Sequence, residues 1–382
     1  MRKGFNKLER RVIFAAGGTA GHVEPALAVA RWLREEDPTI AITFIGTASG
    51  VENSLVAQAG FELRLITKAA FPRALNINTV LWPARFLQSF IQIRRIVRGS
   101  RLVIGFGGYV CAPTYLAAKL VGVEIFAHEA NAKPGMANKL GARLGATTLL
   151  ALDLAGSAEA GSLASSQVVG TPLRSEITHL ARLTPSERVA ARSAALTTLG
   201  LDPARATLLV FGGSLGSAKF NAVIEDGIDA ILATGVQVIH ALGSKNAQPA
   251  SRAGYLPLPY ISDMAQAYAA ADCVISRSGA VSVTETGVLG LYAIYVPLDI
   301  GNGEQRLNAQ VVVNQGGGTI VANSEFSTEL LLRSLPEWLA AARAYRESGR
   351  KVDFPLDAAM RIGVKILAAL RLSEKHSGGR RG

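Results

Sequence analysis

The stretch Cys273–Asn308, CVISRSGAVSVTETGVLGLYAIYVPLDIGNGEQRLN, is where the reading of this chain starts. It opens on a short apolar strand, Cys273–Ser276, breaks at Ser278-Gly279 and restarts as a helix near Ala280. A second apolar run, Ala293–Leu298, leads into a Gly/Asn-rich loop that carries Glu304, Gln305 and Asn308. A strand passing through small residues into a helix aims unpaired N–H groups and the positive dipole end at one point. That is an anion site. Glu285 follows about a turn and a half into the helix, where a carboxylate can accept two hydrogen bonds from a vicinal diol such as a ribose. Anion site, diol acceptor and amide-bearing loop together suggest a pocket for a nucleotide diphosphate.

Outward from this segment the same unit recurs. Strand Thr207–Phe211 runs into Gly212-Gly213-Ser214-Leu215-Gly216 and a helix from Ser217. Near the start, Val12–Ala16 runs into Gly17–His22 and a helix from about Pro25, a residue suited to a first helical turn. The glycine spacing is neither the dinucleotide pattern nor a Walker loop. Ala41–Gly46 is a further strand, with Glu52 opening the helix after it. Leu102–Phe106 ends at Gly107-Gly108-Tyr109, Glu124–His128 ends in Glu129-Ala130-Asn131, and Gln167–Gly170 closes the first half. A polar helical stretch, Thr184–Leu199, precedes the second series. Alternation of this kind builds parallel sheets covered on both faces, with ligands at the carboxyl ends of the strands. The expected fold class is α/β, with two doubly wound parallel-sheet, Rossmann-like domains facing a cleft. The expected boundaries are 1–170 and 171–350, with the nucleotide pocket in the second domain. A helical stretch is expected over 351–372, and the polar, basic tail 373–382 is expected to be disordered.

The bulk composition agrees with this. A chain of 382 residues is long for one core, so two domains are the prior, and 49% apolar residues with 39 glycines suit a glycine-turned α/β protein. Cys111 and Cys273 lie far apart in apolar settings, which reads as two core thiols of a cytosolic protein with no metal spacing. No apolar run approaches the length of a membrane span, and the apolar stretch after the basic start runs straight into a glycine loop, as a first strand does and a signal peptide does not.

The net charge of +11 is uneven: residues 1–175 hold 20 Lys and Arg against 11 Asp and Glu, the remainder 20 against 18. No acid occurs between Leu63 and Val123. A basic half-molecule needs an anionic partner, and no nucleic-acid motif is present, so nucleic acid is not expected. Within this stretch Phe86, Phe90, Ile93 and Val97 share one helical face, the pattern of a stripe packed on the sheet. Phe71, Arg73, Leu81, Trp82 and Arg85 instead combine apolar and basic character in the way a contact with anionic lipid requires.

Taken together, GGTAGHVEPALAVA (17–30), GFGGYVCAP (105–113), HEANAKPGMANKL (128–140), VVGTPLR (168–174), VFGGSLGSAKFN (210–221) and the opening segment resemble the MurG family of inverting glycosyltransferases. The form IGNGEQRLNA is similar to the actinobacterial branch. The resemblance implies a GT-B fold whose first domain, 1–170, faces acceptor and membrane and takes back the helical stretch 351–372, no metal and no cofactor, and peripheral attachment to the cytoplasmic face of the membrane. It implies transfer of N-acetylglucosamine from UDP-GlcNAc to undecaprenyl-pyrophosphoryl-MurNAc-pentapeptide, lipid I, giving lipid II. Contacts with other cell-wall synthesis proteins belong to the same expectation. By matching position, Ile261 would bind uracil through its amide and Glu285 the ribose. Ser214 with Ala280, Val281, Ser282, Val283 and Thr284 would hold the diphosphate, and Gln305 the sugar. Thr19, Ala20, Gly21, Asn131 and Arg174 would reach the donor from the first domain, while His22, Gly108, Tyr109 and Glu129–Asn131 would face the acceptor.

Several positions depart from the family pattern, among them Ala20, Ala130, Thr171, Leu215, Tyr292, Asp299 and Glu304. Ala20 would be strained in a left-handed turn, and Leu215 removes an amide donor beside the diphosphate. The chemistry needs an activated acceptor hydroxyl and a stabilised UDP leaving group. Helix N-termini near Ser214 and Ala280, with Arg174, would carry the second task. His22 precedes a helix whose dipole disfavours imidazolium, so it is a candidate base, with Glu129 the second. Two other readings share the donor residues: a UDP-GlcNAc 2-epimerase and a non-catalytic membrane recruitment subunit.

Overall fold

The structure is a computed structural model that describes residues 10–69, 77–154, 166–250, 252–299 and 302–378. The chain divides into two compact units, Met1–Leu173 with Pro355–Gly382, and Arg174–Phe354.

The elements of the first unit are, in order, β1 (Arg11–Ala15), α1 (Ala20–Glu36), β2 (Ala41–Gly46), α2 (Glu52–Gln58), β3 (Glu62–Leu65), α3 (Ile77–Val97), β4 (Leu102–Gly105), α4 (Cys111–Val121), β5 (Glu124–Glu129), α5 (Met136–Arg143), β6 (Thr147–Leu150) and β7 (Gln167–Val168). The strands form one parallel sheet in the order β3-β2-β1-β4-β5-β6-β7. In β1, Val12 and Phe14 enter one apolar cluster while Ile13 and Ala15 enter another. Successive side chains of a strand face opposite ways, so an unbroken apolar run marks a strand buried on both sides. α1 covers the first face; α3, through Ile93 and Val97, and α4, through Cys111 and Tyr115, cover the second. Of the stripe expected on the sheet, Ile93 and Val97 are in this cluster and Phe90 packs against it, whereas the Phe86 ring lies against Trp82, with centroids 5.2 Å apart.

The second unit runs through α6 (Ser175–Arg182), α7 (Pro185–Thr198), β8 (Thr207–Phe211), α8 (Ala218–Ala233), β9 (Gln237–Ala241), β10 (Tyr255–Leu258), α9 (Met264–Ala270), β11 (Cys273–Ser276), α10 (Ala280–Leu289), β12 (Ala293–Tyr295), α11 (Glu304–Val313), β13 (Gly318–Ile320) and α12 (Thr328–Glu347). Its parallel sheet has the order β10-β9-β8-β11-β12-β13. Each sheet reverses its strand order once, between β1 and β4 and between β8 and β11. At such a switch point the loops diverge and leave a crevice at the carboxyl ends.

The last helix, α13 (Ala358–Gly378), belongs to the first unit and packs on α1. Gly363 permits this: a Cβ there would lie 2.0 Å from the Trp32 ring. The helix starts later than Val352 because Val352–Phe354 is not helical, the Phe354 N–H turning back to the Val352 carbonyl at 2.9 Å, and Pro355 follows. It also continues through Ser373–Gly378, a segment expected to be disordered. Pro25 sits inside α1, not in its first turn; the helix begins five residues earlier, at Ala20, and forgoes one backbone bond. The polar stretch after Arg174 forms two helices. Thr184 starts the second with a capping box, its hydroxyl taking the Glu187 N–H and the Glu187 carboxylate taking the Thr184 N–H.

Candidate active site

In the first unit the site residues gather at the carboxyl ends of β1, β4 and β5. Thr19 is the N-cap of α1, and Ala20, Gly21 and His22 form its first turn. No non-glycine residue among those described has a positive φ, so Ala20 carries no left-handed strain. The Gly107–Tyr109 loop lies directly on this turn. A Cβ at Gly107, whose φ is 102°, would stand 2.8 Å from the His22 ring, and one at Gly108 would stand 2.1 Å from the Gly17 carbonyl oxygen. Only glycines allow both the conformation and the approach.

His22 Nδ1 lies 3.1 Å from the Gly17 carbonyl and 3.4 Å from Thr19 Oγ1. The carbonyl can only accept, so Nδ1 carries the proton, and in the neutral ring Nε2 keeps its lone pair. Desolvation lowers the His22 pKa from its ordinary value; the Gly17 carbonyl, then Glu129 and Glu52, pull the other way. The ring is neutral at pH 7.

Glu129, at the end of β5, is saturated. It accepts the Asn131 N–H at 2.9 Å, Asn131 Nδ2 at 3.0 Å, the Gly135 N–H at 2.8 Å and Asn138 Nδ2 at 3.0 Å. Four donors fill about the whole acceptor capacity of a carboxylate, so its geometry is that of a brace for the Asn131 loop. His128 is likewise structural: it is buried and donates from Nε2 to the Gly170 carbonyl at 2.9 Å.

Glu52, read from the sequence only as a helix start, braces the loops of the candidate site. It is fully buried and accepts the Gly18 N–H at 3.2 Å, the Thr47 N–H at 2.9 Å and the Tyr109 hydroxyl at 3.4 Å. It thus ties the glycine loop after β1 to the tyrosine after β4. The available signal was an acid placed just after a glycine turn in an otherwise basic half.

In the second unit the site forms around β8, β11 and α10. Ser217 caps α8 by accepting the Phe220 N–H, whereas α10 starts at Gly279 with no side-chain cap. The first-turn N–H groups of α10, over Ala280, Val281 and Ser282, are therefore open to an anion. Ser214 is half-buried in the loop after β8, and Leu215 beside it is exposed, which leaves the turn itself undisturbed. Arg277 bridges the two loops, donating to Ser217 Oγ at 3.1 Å and Asn323 Oδ1 at 2.7 Å while its guanidinium lies 4.6 Å over Phe220. It brings a positive charge to the same turn and was not singled out from the sequence.

Glu285 is 2% exposed. Arg174 Nη2 donates to its Oε1 at 2.8 Å, and the Tyr268 hydroxyl to its Oε2 at 2.9 Å. A carboxylate has about four acceptor sites; the two still open match the two hydroxyls of a ribose. Burial and the Glu285 charge raise the Tyr268 phenol well above its ordinary value, so it stays a donor. Arg174, expected to reach the donor from the first domain, belongs to the second unit as the partner of Glu285. Ile261 is buried between β10 and α9. Gln305, in the first turn of α11, accepts the Leu298 N–H on Oε1 at 3.0 Å, which orients its amide nitrogen for a further partner. Tyr292 packs against Tyr345 with ring centroids 6.3 Å apart, so this departure is accommodated by packing. Among the described residues no three His, Cys, Asp or Glu side chains come together as a metal site.

Of the expected membrane residues, Phe71 and Arg73 lie outside the described residues. Leu81, Trp82 and Arg85 are on α3. The side of this helix turned away from the sheet exposes Leu81, Leu87 and Ile91 together with Arg85, Arg94 and Arg95, and Arg98 is exposed just past its end.

Two parallel-sheet α/β domains, each with a glycine turn at its switch point and the second with a buried glutamate on a helix that starts uncapped, define a GT-B nucleotide-sugar transferase. The chain matches the glycosyltransferase family 28 N-terminal domain over residues 12–149 and the C-terminal domain of that family over residues 207–361. It is 46% identical to the UDP-N-acetylglucosamine--N-acetylmuramyl-(pentapeptide) pyrophosphoryl-undecaprenol N-acetylglucosamine transferase of Corynebacterium efficiens, over 84% of this chain and 86% of that one. Identity to the Streptomyces coelicolor enzyme of the same name is 43%, over 90% and 93%. The crystal structure of Acinetobacter baumannii MurG superposes with a TM-score of 0.67 at 26% identity, over 94% of this chain and 99% of that one. The chain belongs to glycosyltransferase family 28 and, within it, to the MurG transferases.

Proposed function

We infer that the chain transfers N-acetylglucosamine from UDP-GlcNAc to the 4-hydroxyl of the MurNAc unit of lipid I, forming lipid II in peptidoglycan synthesis. The observation that carries this reading is α10, where an uncapped start and a buried diol acceptor lie on one helix. The acceptor oxygen attacks the anomeric carbon as the bond to the UDP phosphate breaks, and the configuration inverts. His22 Nε2 takes the hydroxyl proton, since burial keeps the ring neutral and the Gly17 carbonyl holds the productive tautomer. The departing diphosphate gathers charge, which the α10 N-terminus, Ser214 and the Arg277 loop stabilise without reorganising. Ile261 holds the uracil, Glu285 the ribose and Gln305 the sugar. Thr19, Ala20, Gly21 and Asn131 complete the donor contacts, and Gly108 and Tyr109 face the acceptor.

Lipid I cannot leave its bilayer, so the enzyme works at the membrane surface, on the cytoplasmic side where UDP-GlcNAc is available. No described helix is long and apolar enough to cross a membrane. The exposed leucines, isoleucine and arginines of α3 suit reversible docking on anionic lipid, each cation near the surface adding about 1 kcal/mol. Radiolabelled UDP-GlcNAc with a lipid I analogue tests the reaction: label should appear in the lipid product only when both substrates are present. Turnover of UDP-GlcNAc without acceptor would favour the epimerase instead. Arg94→Glu with Arg98→Glu should abolish sedimentation with cardiolipin vesicles while UDP affinity stays unchanged; equal sedimentation would remove α3 as the docking face.

A further inference from the structure

The second unit carries a groove of about 490 Å3 between α6, α7, α9 and the carboxyl ends of α10 and α12. Its walls are apolar, with Leu180, Leu183, Leu289 and Leu291 prominent. Its charged groups are all cations, and no carboxylate lines it. Asp272 nearby pairs with two of them, Arg192 at 2.7 Å and Arg346 at 2.6 Å. The remaining three, Arg188, Arg350 and Lys351, form no ion pair among the described residues.

Two of these cations, Arg188 and Lys351, are held in place by backbone. Arg188 donates to the carbonyls of Leu289 at 2.6 Å, Ala181 at 2.9 Å and Leu183 at 3.3 Å. Lys351 donates to the same Ala181 carbonyl at 3.0 Å, so two like charges meet on one oxygen. These carbonyls are the ends of α6 and α10, each equivalent to about half a negative charge. With the carboxyl end of α12 added, half-charges from three helices still do not neutralise three cations, and the groove keeps a positive excess. Burial lowers the pKa of both groups, and the Arg188 charge lowers that of Lys351 further, the response of cations that lack a counter-charge. Donors remain available: Arg188 uses three of five N–H bonds and Lys351 one of three.

We propose that this groove is a second ligand site, which takes a small amphipathic anion: a carboxylate, sulfonate or phosphate monoester carried on an apolar ring. The volume falls in the range of about 300–1,000 Å3 typical of small-molecule pockets, and the apolar wall with a cationic rim reads both halves of such a molecule. The site is connected to the donor pocket. Tyr268 is among the residues lining the groove, and its hydroxyl holds Glu285. An occupant therefore touches the residue that orients the ribose acceptor.

The test uses the full-length protein and 1-anilinonaphthalene-8-sulfonate, followed by fluorescence. Saturable binding to the parent is expected, persisting in saturating UDP. Arg350→Glu with Lys351→Glu, both on the surface, should weaken it at least tenfold with UDP affinity unchanged. Lys351→Met alone should weaken it several-fold and serves if the double variant is unstable. N-phenyl-1-naphthylamine, which lacks the sulfonate, should bind parent and variants alike. Absence of saturable binding to the parent, equal affinity in parent and both variants, or displacement of the dye by UDP would overturn the proposal.

Discussion

Glu285→Gln separates the ribose contact from everything else the donor site does. The substitution keeps the shape of the side chain and removes its charge and half of its acceptor capacity. In the parent, Oε1 receives Arg174 at 2.8 Å and Oε2 receives Tyr268 at 2.9 Å, leaving two acceptor sites for the ribose hydroxyls. In the variant the amide oxygen stays with Arg174, the stronger donor, and the NH2 group occupies the side where a hydroxyl would donate. Hydrogen bonds to a charged group contribute about 1.5–3 kcal/mol, against about 0.5–1.5 for neutral pairs. Losing the charge-assisted pair to a vicinal diol therefore costs about 1.5–3 kcal/mol, or about ten- to a hundredfold in UDP affinity. Isothermal titration with UDP measures the whole loss. Titration with 2′,3′-dideoxy-UDP closes the cycle, because a ligand without the diol should bind parent and variant with nearly equal, weak affinity. If UDP binds the variant as well as the parent, or if the dideoxy ligand loses as much as UDP does, Glu285 is not the ribose acceptor and its burial serves the Arg174 pair alone.

His22→Ala should lower kcat by about 10²–10⁴ with UDP affinity nearly unchanged, under conditions where chemistry limits turnover. Because desolvation depresses the His22 pKa, the parent rate should hold down to pH 6.5 and fall only at lower pH; a loss below tenfold in the variant would reduce the ring to a brace. Glu129→Gln should lower thermal stability by about 1–3 kcal/mol, since a fourfold acceptor becomes a group with two acceptor sites among four donors; an unchanged melting curve would contradict the bracing role. His240, buried on β9 beside the Tyr255 hydroxyl, has its pKa lowered by desolvation to about 4. The unfolded chain then binds more protons between pH 4 and 6.5, so stability is full above that window and lost as pH falls through it, by on the order of 3 kcal/mol. Melting curves of His240→Phe against the parent should show a flatter acid limb, and parallel curves would sink the assignment.

Much of this architecture was legible before any tertiary contact was considered. Arg11–Ala15, Ala41–Gly46, Thr207–Phe211 and Cys273–Ser276 are central strands buried on both faces, and two-sided burial leaves an unbroken apolar run that reads directly. The glycine turns after them mark the carboxyl ends of the sheets, where ligands bind, so Thr19–His22, Gly107–Tyr109 and Ser278–Glu285 were found together with the strands. Five strands escaped. β3 and β13 are short edge strands, β3 alternating charge with leucine; β10 is an edge strand containing Pro257, tolerated there because one side needs no N–H. In β6 and β9, threonines, Gln237 and His240 interrupt the apolar run, although packing buries almost all of them.

The functional side chains that were missed share one property. Glu52 meets Tyr109 across 57 residues of sequence, Tyr268 meets Glu285 across 17, and Arg277 meets Ser217 across 60. Spacing along the chain encodes which face of a strand or helix a residue occupies, because those periods are local. It does not encode which buried donor will find which buried acceptor, since that pairing is settled only when whole elements pack and each desolvated charge must be satisfied. The sequence by itself determined the central strands of the two sheets, their glycine turns and the helix of the proposed donor site. Tertiary structure alone decided that Glu129 is saturated and His22 is not, that Arg174 stands with Glu285, and that three cations face an apolar groove without a carboxylate.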